Sequence, residues 1–96
     1  MSEIQDLRRI HLWVAGRVQG VYFRGSARHE AEERGLTGWV RNADDGRVEA
    51  EVQGRPDDVE RFIELCRSGP SFAKVDEVEI DEIDVDPNDQ SFDVVG

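Results

Sequence analysis

An α+β sandwich, with two helices laid on one face of an antiparallel sheet, is the fold class this sequence predicts. Three observations point to it. The chain has 96 residues, enough for one two-layer core and no second domain. Two stretches carry helix signals, one closed by Gly35 and one opened by Pro56. The stretches around them read as strands bounded by turn residues.

Residues 9–15 come first, with Ile10, Leu12 and Val14 on one face as in a half-buried strand. A loop with Gly16 and Gly20 follows, then a helix over about Phe23 to Arg34 whose apolar side is Phe23, Ala27 and Ala31. Gly35 stands at a C′ position, where a positive φ is wanted. Leu36 to Ala43 reads as the second strand, Asp44-Asp45-Gly46 as a hairpin turn, and Arg47 to Gln53 as the third strand. The second helix is the clearest element. Pro56 suits its first turn, and Asp57 and Asp58 complement the positive end of its dipole. Val59, Phe62, Ile63 and Cys66 fall at i, i+3, i+4 and i+7, one apolar stripe that makes Cys66 a core residue rather than a reactive thiol. Ser68-Gly69-Pro70 ends it. Val75 to Val85 reads as the fourth strand, with a bulge expected where the alternation slips between Ile80 and Ile83. Residues 86–89 turn the chain into a short last strand, Ser91 to Val95.

The order is therefore β-α-β-β-α-β plus a short C-terminal strand, the split-βαβ or ferredoxin-like sandwich. No linker, internal repeat or low-complexity stretch interrupts it, so residues 1–96 read as a single domain. The topology hosts many unrelated functions and implies none of them.

Composition narrows the function. Twenty-two acids oppose twelve bases, a net charge of −10, and eleven of those bases are Arg, with Lys74 the one Lys. So negative a surface disfavours nucleic acid, whose binding rests on neutralised phosphates. Scarce Lys and excess acid point to a salt-rich cytoplasm, where self-repulsion is screened. No apolar run approaches the roughly 18 residues of a membrane span, and MSEIQDLRRI lacks the apolar stretch of an export signal. One cysteine and two histidines, His11 and His29, leave little to build a metal centre; both histidines read as plain surface positions. The charge is uneven. Residues 1–43 hold seven Arg against five acids, whereas residues 44–96 hold five bases against seventeen. An anion would settle on the basic part, which contains Arg17, Arg24, Arg28 and Arg41.

Two segments stand out, the first as a place where that anion could be held. In residues 14–24, VAGRVQGVYFR, a strand passes through a glycine-bearing loop into a helix start. Such a loop is either a tight connection or a nest of inward N–H groups at the positive helix end. Arg24, at the same helix start, is either a surface residue or a two-pronged phosphate ligand. In residues 38–54, GWVRNADDGRVEAEVQG, Asn42 is either a turn former or an amide that fixes a water molecule.

These residues bring the chain to a known family: it closely resembles the acylphosphatases. Their first signature is an aliphatic residue, any residue, then Gly-x-Val-Gln-Gly-Val-x-Phe-Arg, and residues 14–24 meet every position. Their second is met by Gly38-Trp39-Val40-Arg41-Asn42, Gly46, Val48 and Gly54. Gly35-Leu36 and Gly69-Pro70 also stand where the family has them, and the resemblance covers about residues 9–95. Ala27 departs from a common Thr, and Lys74 from a common Arg.

The resemblance implies a hydrolase (EC 3.6.1.7) that splits the carboxyl–phosphate bond of an acyl phosphate into a carboxylate and inorganic phosphate. Arg24 and the backbone of Val18, Gln19, Gly20, Val21, Tyr22 and Phe23 would bind the phosphoryl group, and Asn42 would orient the attacking water. It implies no metal and no organic cofactor, a small acyl phosphate as substrate, phosphate as product and competitive inhibitor, and no membrane partner. The chemistry agrees, because phosphoryl transfer asks mostly for positioning and charge stabilisation. The water's proton has the substrate's own phosphate oxygen as acceptor; Asp44 and Asp45 compete for that role but suit the turn better. The size and the lack of an apolar interface patch favour a monomer, placed in the cytoplasm. Two rivals stand beside this reading: a non-catalytic βαββαβ binding module, and the acylphosphatase-like domain of a larger hydrogenase-maturation protein.

Overall fold

The computed structural model describes residues 6–96. Its elements are β1 (Arg8–Arg17), α1 (Phe23–Glu33), β2 (Thr37–Asn42), β3 (Val48–Gly54), α2 (Pro56–Ser68), β4 (Lys74–Ile83) and β5 (Phe92–Val94). These are the seven expected elements, in order, with ends shifted by a residue or two; the export-signal reading falls partly on residues 1–5, outside the described part.

The sheet order is β4-β1-β3-β2-β5. β1 pairs antiparallel with both β3 and β4, and β2 pairs antiparallel with β3. β1 and β2 are thus parallel across β3, with α1 joining them, and β3 and β4 are parallel across β1, with α2 joining them. This is the split βαβ arrangement twice over. The expectation of a wholly antiparallel sheet needs one correction: β5 pairs parallel with β2, Phe92 beside Gly38. The chain reverses once after β4 and crosses to the far edge. A strand antiparallel to β4 is necessarily parallel to β2.

The helix-covered face is apolar throughout. Ile10, Leu12 and Val14 of β1 are wholly buried, as are Ala27 and Ala31 of α1. The α2 stripe of Val59, Phe62, Ile63 and Cys66 packs into the same core, with Phe62 and Phe92 rings 5.9 Å apart. Each large side chain so buried contributes roughly 1.5–3 kcal/mol. Burial pushes the Cys66 thiol far up, so it stays protonated and inert, the core role its spacing predicts.

The open face is polar and interlocked. Arg9 donates to Glu51, Gln53 and Asp89. Gln53 in turn holds the backbone of Asp86 from both sides, at 2.9 and 2.7 Å. These bonds fasten the acidic turn that delivers β5.

The irregularity in β4 is not where the alternation places it. Ile80 and Ile83 pair without slip against Leu12 and Arg9, and the register breaks instead at Ala15/Gly16, where Asp76 is the extra residue. The apparent slip arises because Ile83 lies on the open face beside Arg9 while Ile80 faces the core. The bulge forms where β4 crowds Gly16: a Cβ there would lie 2.1 Å from the Lys74 carbonyl oxygen. Among the described residues, no helix is long and apolar enough to cross a membrane.

Candidate active site

The turn from β1 into α1 is anchored at both ends by core residues. Val18 is 1% and Phe23 2% exposed, so the four residues between them have little freedom to move away. Gly20 has φ +75° and Tyr22 φ +64°, both left-handed, and Val21 between them has not. Alternating hand along successive residues turns their N–H groups to one side, the geometry of an anion nest. The N–H groups of residues 19–24 find no acceptor among the described residues. Ser26 is the first to close a helical bond, to the Tyr22 carbonyl at 3.0 Å. Among the described residues, Tyr22 is the one non-glycine with positive φ, a conformation that costs about 1–2 kcal/mol. Its ring covers Gly25, where a Cβ would stand 2.3 Å from the ring, and is otherwise 74% exposed.

Gln19 ties this loop to the neighbouring hairpin. Its Nε2 donates to the carbonyl oxygens of Ala43 at 2.8 Å and Arg47 at 3.0 Å. The same hairpin is closed by Ala43 N–H to Arg47 O at 2.7 Å, one residue beyond Asn42. The side chain of Gln19 is therefore a strut that fixes the distance between the loop and the end of β2. The motif shows the Gln; nothing in the sequence shows where its amide goes.

Asn42 ends β2 opposite Val48. Its Oδ1 is buried and has no hydrogen-bond partner among the described residues. Asn42 lines one wall of a cavity of about 570 Å³, and Arg24 lines another. Val18, Gly20, Tyr22 and Phe23 complete that end. Gln19 and Val21 do not line it: one amide is committed to the hairpin, and the Val21 side chain packs on the core. Arg24 makes no ion pair or hydrogen bond with any described residue, and the first turn of α1 contains no acid. The positive helix end and the guanidinium thus act together on whatever enters.

The basic island separates into different roles. Arg28 lines the cavity and meets Glu32 at 3.1 Å. Arg41 lies on the open face of the sheet, held by Glu49 at 2.7 Å. Arg17 sits in register with Lys74 at the end of β1, away from the cavity lining. His29 is exposed and lines the cavity, whereas His11 is not a plain surface residue at all. Its Nε2–H donates to Glu49 at 2.6 Å, and its ring lies edge-on to both Trp13 and Trp39. Asp45 is bound by the side chain and N–H of Arg47, which hold its carboxyl below the usual range, and neither Asp44 nor Asp45 lines the cavity. That is turn chemistry. The i, i+4, i+8 spacing of Arg24, Arg28 and Glu32 is the signal that marks them as one face of α1.

The family model for acylphosphatase matches residues 10–94. An acylphosphatase of Roseiflexus sp. (strain RS-1) is 49% identical over 77 residues, covering 80% of this chain and 83% of the relative. The crystal structure of an acylphosphatase from Bacillus subtilis superposes with a TM-score of 0.88 at 37% identity, covering 95% of this chain and all of that one. The full-length HypF structure, in its phosphate- and nucleotide-bound form, gives 0.89 at 30% identity, covering the whole of this chain but 13% of that protein. A match that begins at the first core residue of β1 and ends with β5, shared with relatives about half identical in sequence, places the chain in the acylphosphatase family as a hydrolase of that kind.

Proposed function

We propose that the loop N–H groups of residues 18–23 and the Arg24 guanidinium hold the phosphoryl group of an acyl phosphate, and that Asn42 positions the water that attacks it. The observation that carries this reading is that Asn42, whose buried Oδ1 has no hydrogen-bond partner among the described residues, lines the same cavity as Arg24, which has no described partner either. A carboxamide oxygen accepts a hydrogen bond from a water molecule and so can aim that water's lone pair at phosphorus. Water oxygen bonds to phosphorus as the bond from phosphorus to the acyl oxygen breaks. The electron pair leaves on the carboxylate, which needs no protonation, and the water's proton passes to a phosphoryl oxygen. Arg24 and the loop N–H groups stabilise charge on the equatorial oxygens throughout. As read, the step uses no metal or organic cofactor, and inorganic phosphate competes with substrate. The working unit is the single domain, acting as a monomer in a salt-rich cytoplasm.

Phosphate release from benzoyl phosphate tests the two side chains separately. Arg24→Ala should lower kcat/KM by about 10³-fold and abolish competitive inhibition by phosphate, because one group binds both states. Asn42→Ala should lower kcat by about 10²-fold while the phosphate inhibition constant stays near that of the native enzyme. Phosphate inhibition that survives Arg24→Ala intact would remove the arginine from the site. A normal kcat with weakened phosphate binding in Asn42→Ala would reverse the two assignments.

A further inference from the structure

The cavity continues past Arg24 and Asn42 along the exposed side of α1. At about 570 Å³ it falls in the range of sites that enclose a whole small molecule, roughly 300–1,000 Å³, rather than one phosphate group. Arg28 stands one helical turn, about 6 Å along the axis, beyond Arg24. Both line the cavity. Gly25, beside them on α1, is covered by the ring of Tyr22, and that ring forms one side of the passage, with Val94 also in the lining. The acyl part of a substrate whose phosphoryl group sits at Arg24 therefore has an open, partly apolar path that reaches Arg28.

Arg28 is free to receive a ligand. Its single described partner is Glu32, bonded through Nε at 3.1 Å, with both side chains more than half exposed. An exposed pair of this kind contributes at most about 1 kcal/mol. The two terminal nitrogens of the guanidinium have no acceptor among the described residues, so a carboxylate or phosphate can be gripped without breaking the Glu32 bond. Arg41 gives the contrast, since its guanidinium is drawn to a nearly buried Glu49 on another face of the molecule.

We propose that Arg28 forms a second anion subsite in the same cavity, selecting acyl phosphates whose acyl group carries a negative charge of its own. This rests on the reading of Arg24 as the phosphoryl ligand. Glu32, on the next turn, opposes the same charge and sets the ceiling on the preference.

The test compares 4-carboxybenzoyl phosphate with 4-methylbenzoyl phosphate, rigid substrates of similar shape and leaving-group acidity that differ in one remote charge. In the native enzyme kcat/KM should favour the carboxylate about five- to tenfold, with the difference in KM. Arg28→Gln should bring that ratio close to one, and Glu32→Gln should raise it about two- to threefold above native. A native ratio at or below one, or a ratio that Arg28→Gln leaves unchanged, overturns the subsite. Turnover of both substrates that persists in Arg24→Ala overturns the phosphoryl site instead, and the subsite with it.

Discussion

Arg9 and Arg24 are the same residue placed in two regions of one sandwich, and their surroundings are opposites. On the open face, the Arg9 side chain is 7% exposed and its guanidinium donates to Glu51, Gln53 and Asp89. Its neighbours His11 and Arg41 are likewise committed, both to Glu49. At the loop end, Arg24, six successive N–H groups and the buried Asn42 Oδ1 have no partner among the described residues. Left-handed Tyr22 adds strain at the same point. The open face is a closed set of polar groups that satisfy one another, and it holds the acidic turn and β5 in place. The loop end is an open set, destabilising until a ligand completes it. Polar residues that finish their bonds inside the protein are structure; those that do not are held for something else.

The largest expected effect separates the two arginines. Arg24→Ala should remove about 10³-fold in kcat/KM and move the melting temperature by less than about 2 °C, since no internal contact is lost. Arg9→Ala should do the reverse. It strands Glu51 and Asp89 in a poorly solvated place and should cost about 3 kcal/mol of stability, while turnover per folded molecule stays near native. Thermal melts and benzoyl phosphate turnover on both variants decide it. A large stability loss in Arg24→Ala, or a kinetic loss in Arg9→Ala at temperatures where it is fully folded, breaks the division.

Asn42 extends the contrast to an uncharged group. Replacing a hydrogen-bonded buried amide by Ala ordinarily costs stability, but here the acceptor oxygen has no internal bond to lose. Asn42→Ala should therefore leave stability unchanged or raise it by about 1 kcal/mol, even as kcat falls. Chemical denaturation reads this directly. A loss above about 1 kcal/mol would mean that the amide is a structural member of the hairpin.

Most of the fold was legible because each core element carries its own period. The α2 stripe, the Ile10-Leu12-Val14 face and the Asp44-Asp45-Gly46 turn all lie in the structure as their spacing predicts. Gly35, at φ +66°, takes the conformation expected of it. The misses share one cause. The direction of β5, the true place of the bulge, the Gln19 strut and the His11–Glu49 bond all depend on which strand lies beside which, and none of these is local. Arg24 and Asn42 were legible as candidates through their motifs, and both line one cavity. That Arg41 is held by Glu49 could come only from the packed sheet, whereas the Arg28–Glu32 pair follows from its i, i+4 spacing.

A smaller effect tests the closed set through its pH dependence. Burial pushes the Glu49 carboxyl up, but hydrogen bonds from His11 and Arg41 outweigh it and hold the group below its ordinary value. A carboxyl depressed in the folded state contributes stability above its unfolded pKa of about 4.3 and loses it as pH falls through the lower folded value. Glu49→Gln should be less stable than native at pH 7, and the gap should close progressively below about pH 4.3. A gap independent of pH down to 2 would show that the carboxylate charge is not what the open face uses.

The smallest effect is that of salt, because it acts against itself. Residues 44–96 hold five bases against seventeen acids, and the chain as a whole carries −10. Several of those acids are paired with arginine, among them Glu82 and Glu60 with Arg8 and Asp58 with Arg34. Glu77 and Glu79 on edge strand β4 are exposed and make no ion pair with any described residue. Raising KCl from 0.01 to 1 M shortens the Debye length from about 30 to 3 Å, which weakens repulsion and exposed ion pairs alike. Repulsion acts over the longer distances and among more charges, so the net change should be a gain of about 1 kcal/mol, seen as a melting temperature several degrees higher. Glu77→Gln/Glu79→Gln should capture part of that gain at low salt and show a shallower salt dependence. At the loop end the sign reverses. Salt screens the pull of Arg24 and Arg28 on an anionic substrate, so KM should rise with KCl while the fold becomes firmer. Arg41 and Arg17 should not enter that rise, one being neutralised by Glu49 and the other lying off the cavity, so Arg41→Gln should leave the salt dependence of KM as it is. A melting temperature that stays flat across this range would show that the acidic surface has no bearing on salt, and a KM that stays flat would show that the cavity field does not reach the substrate.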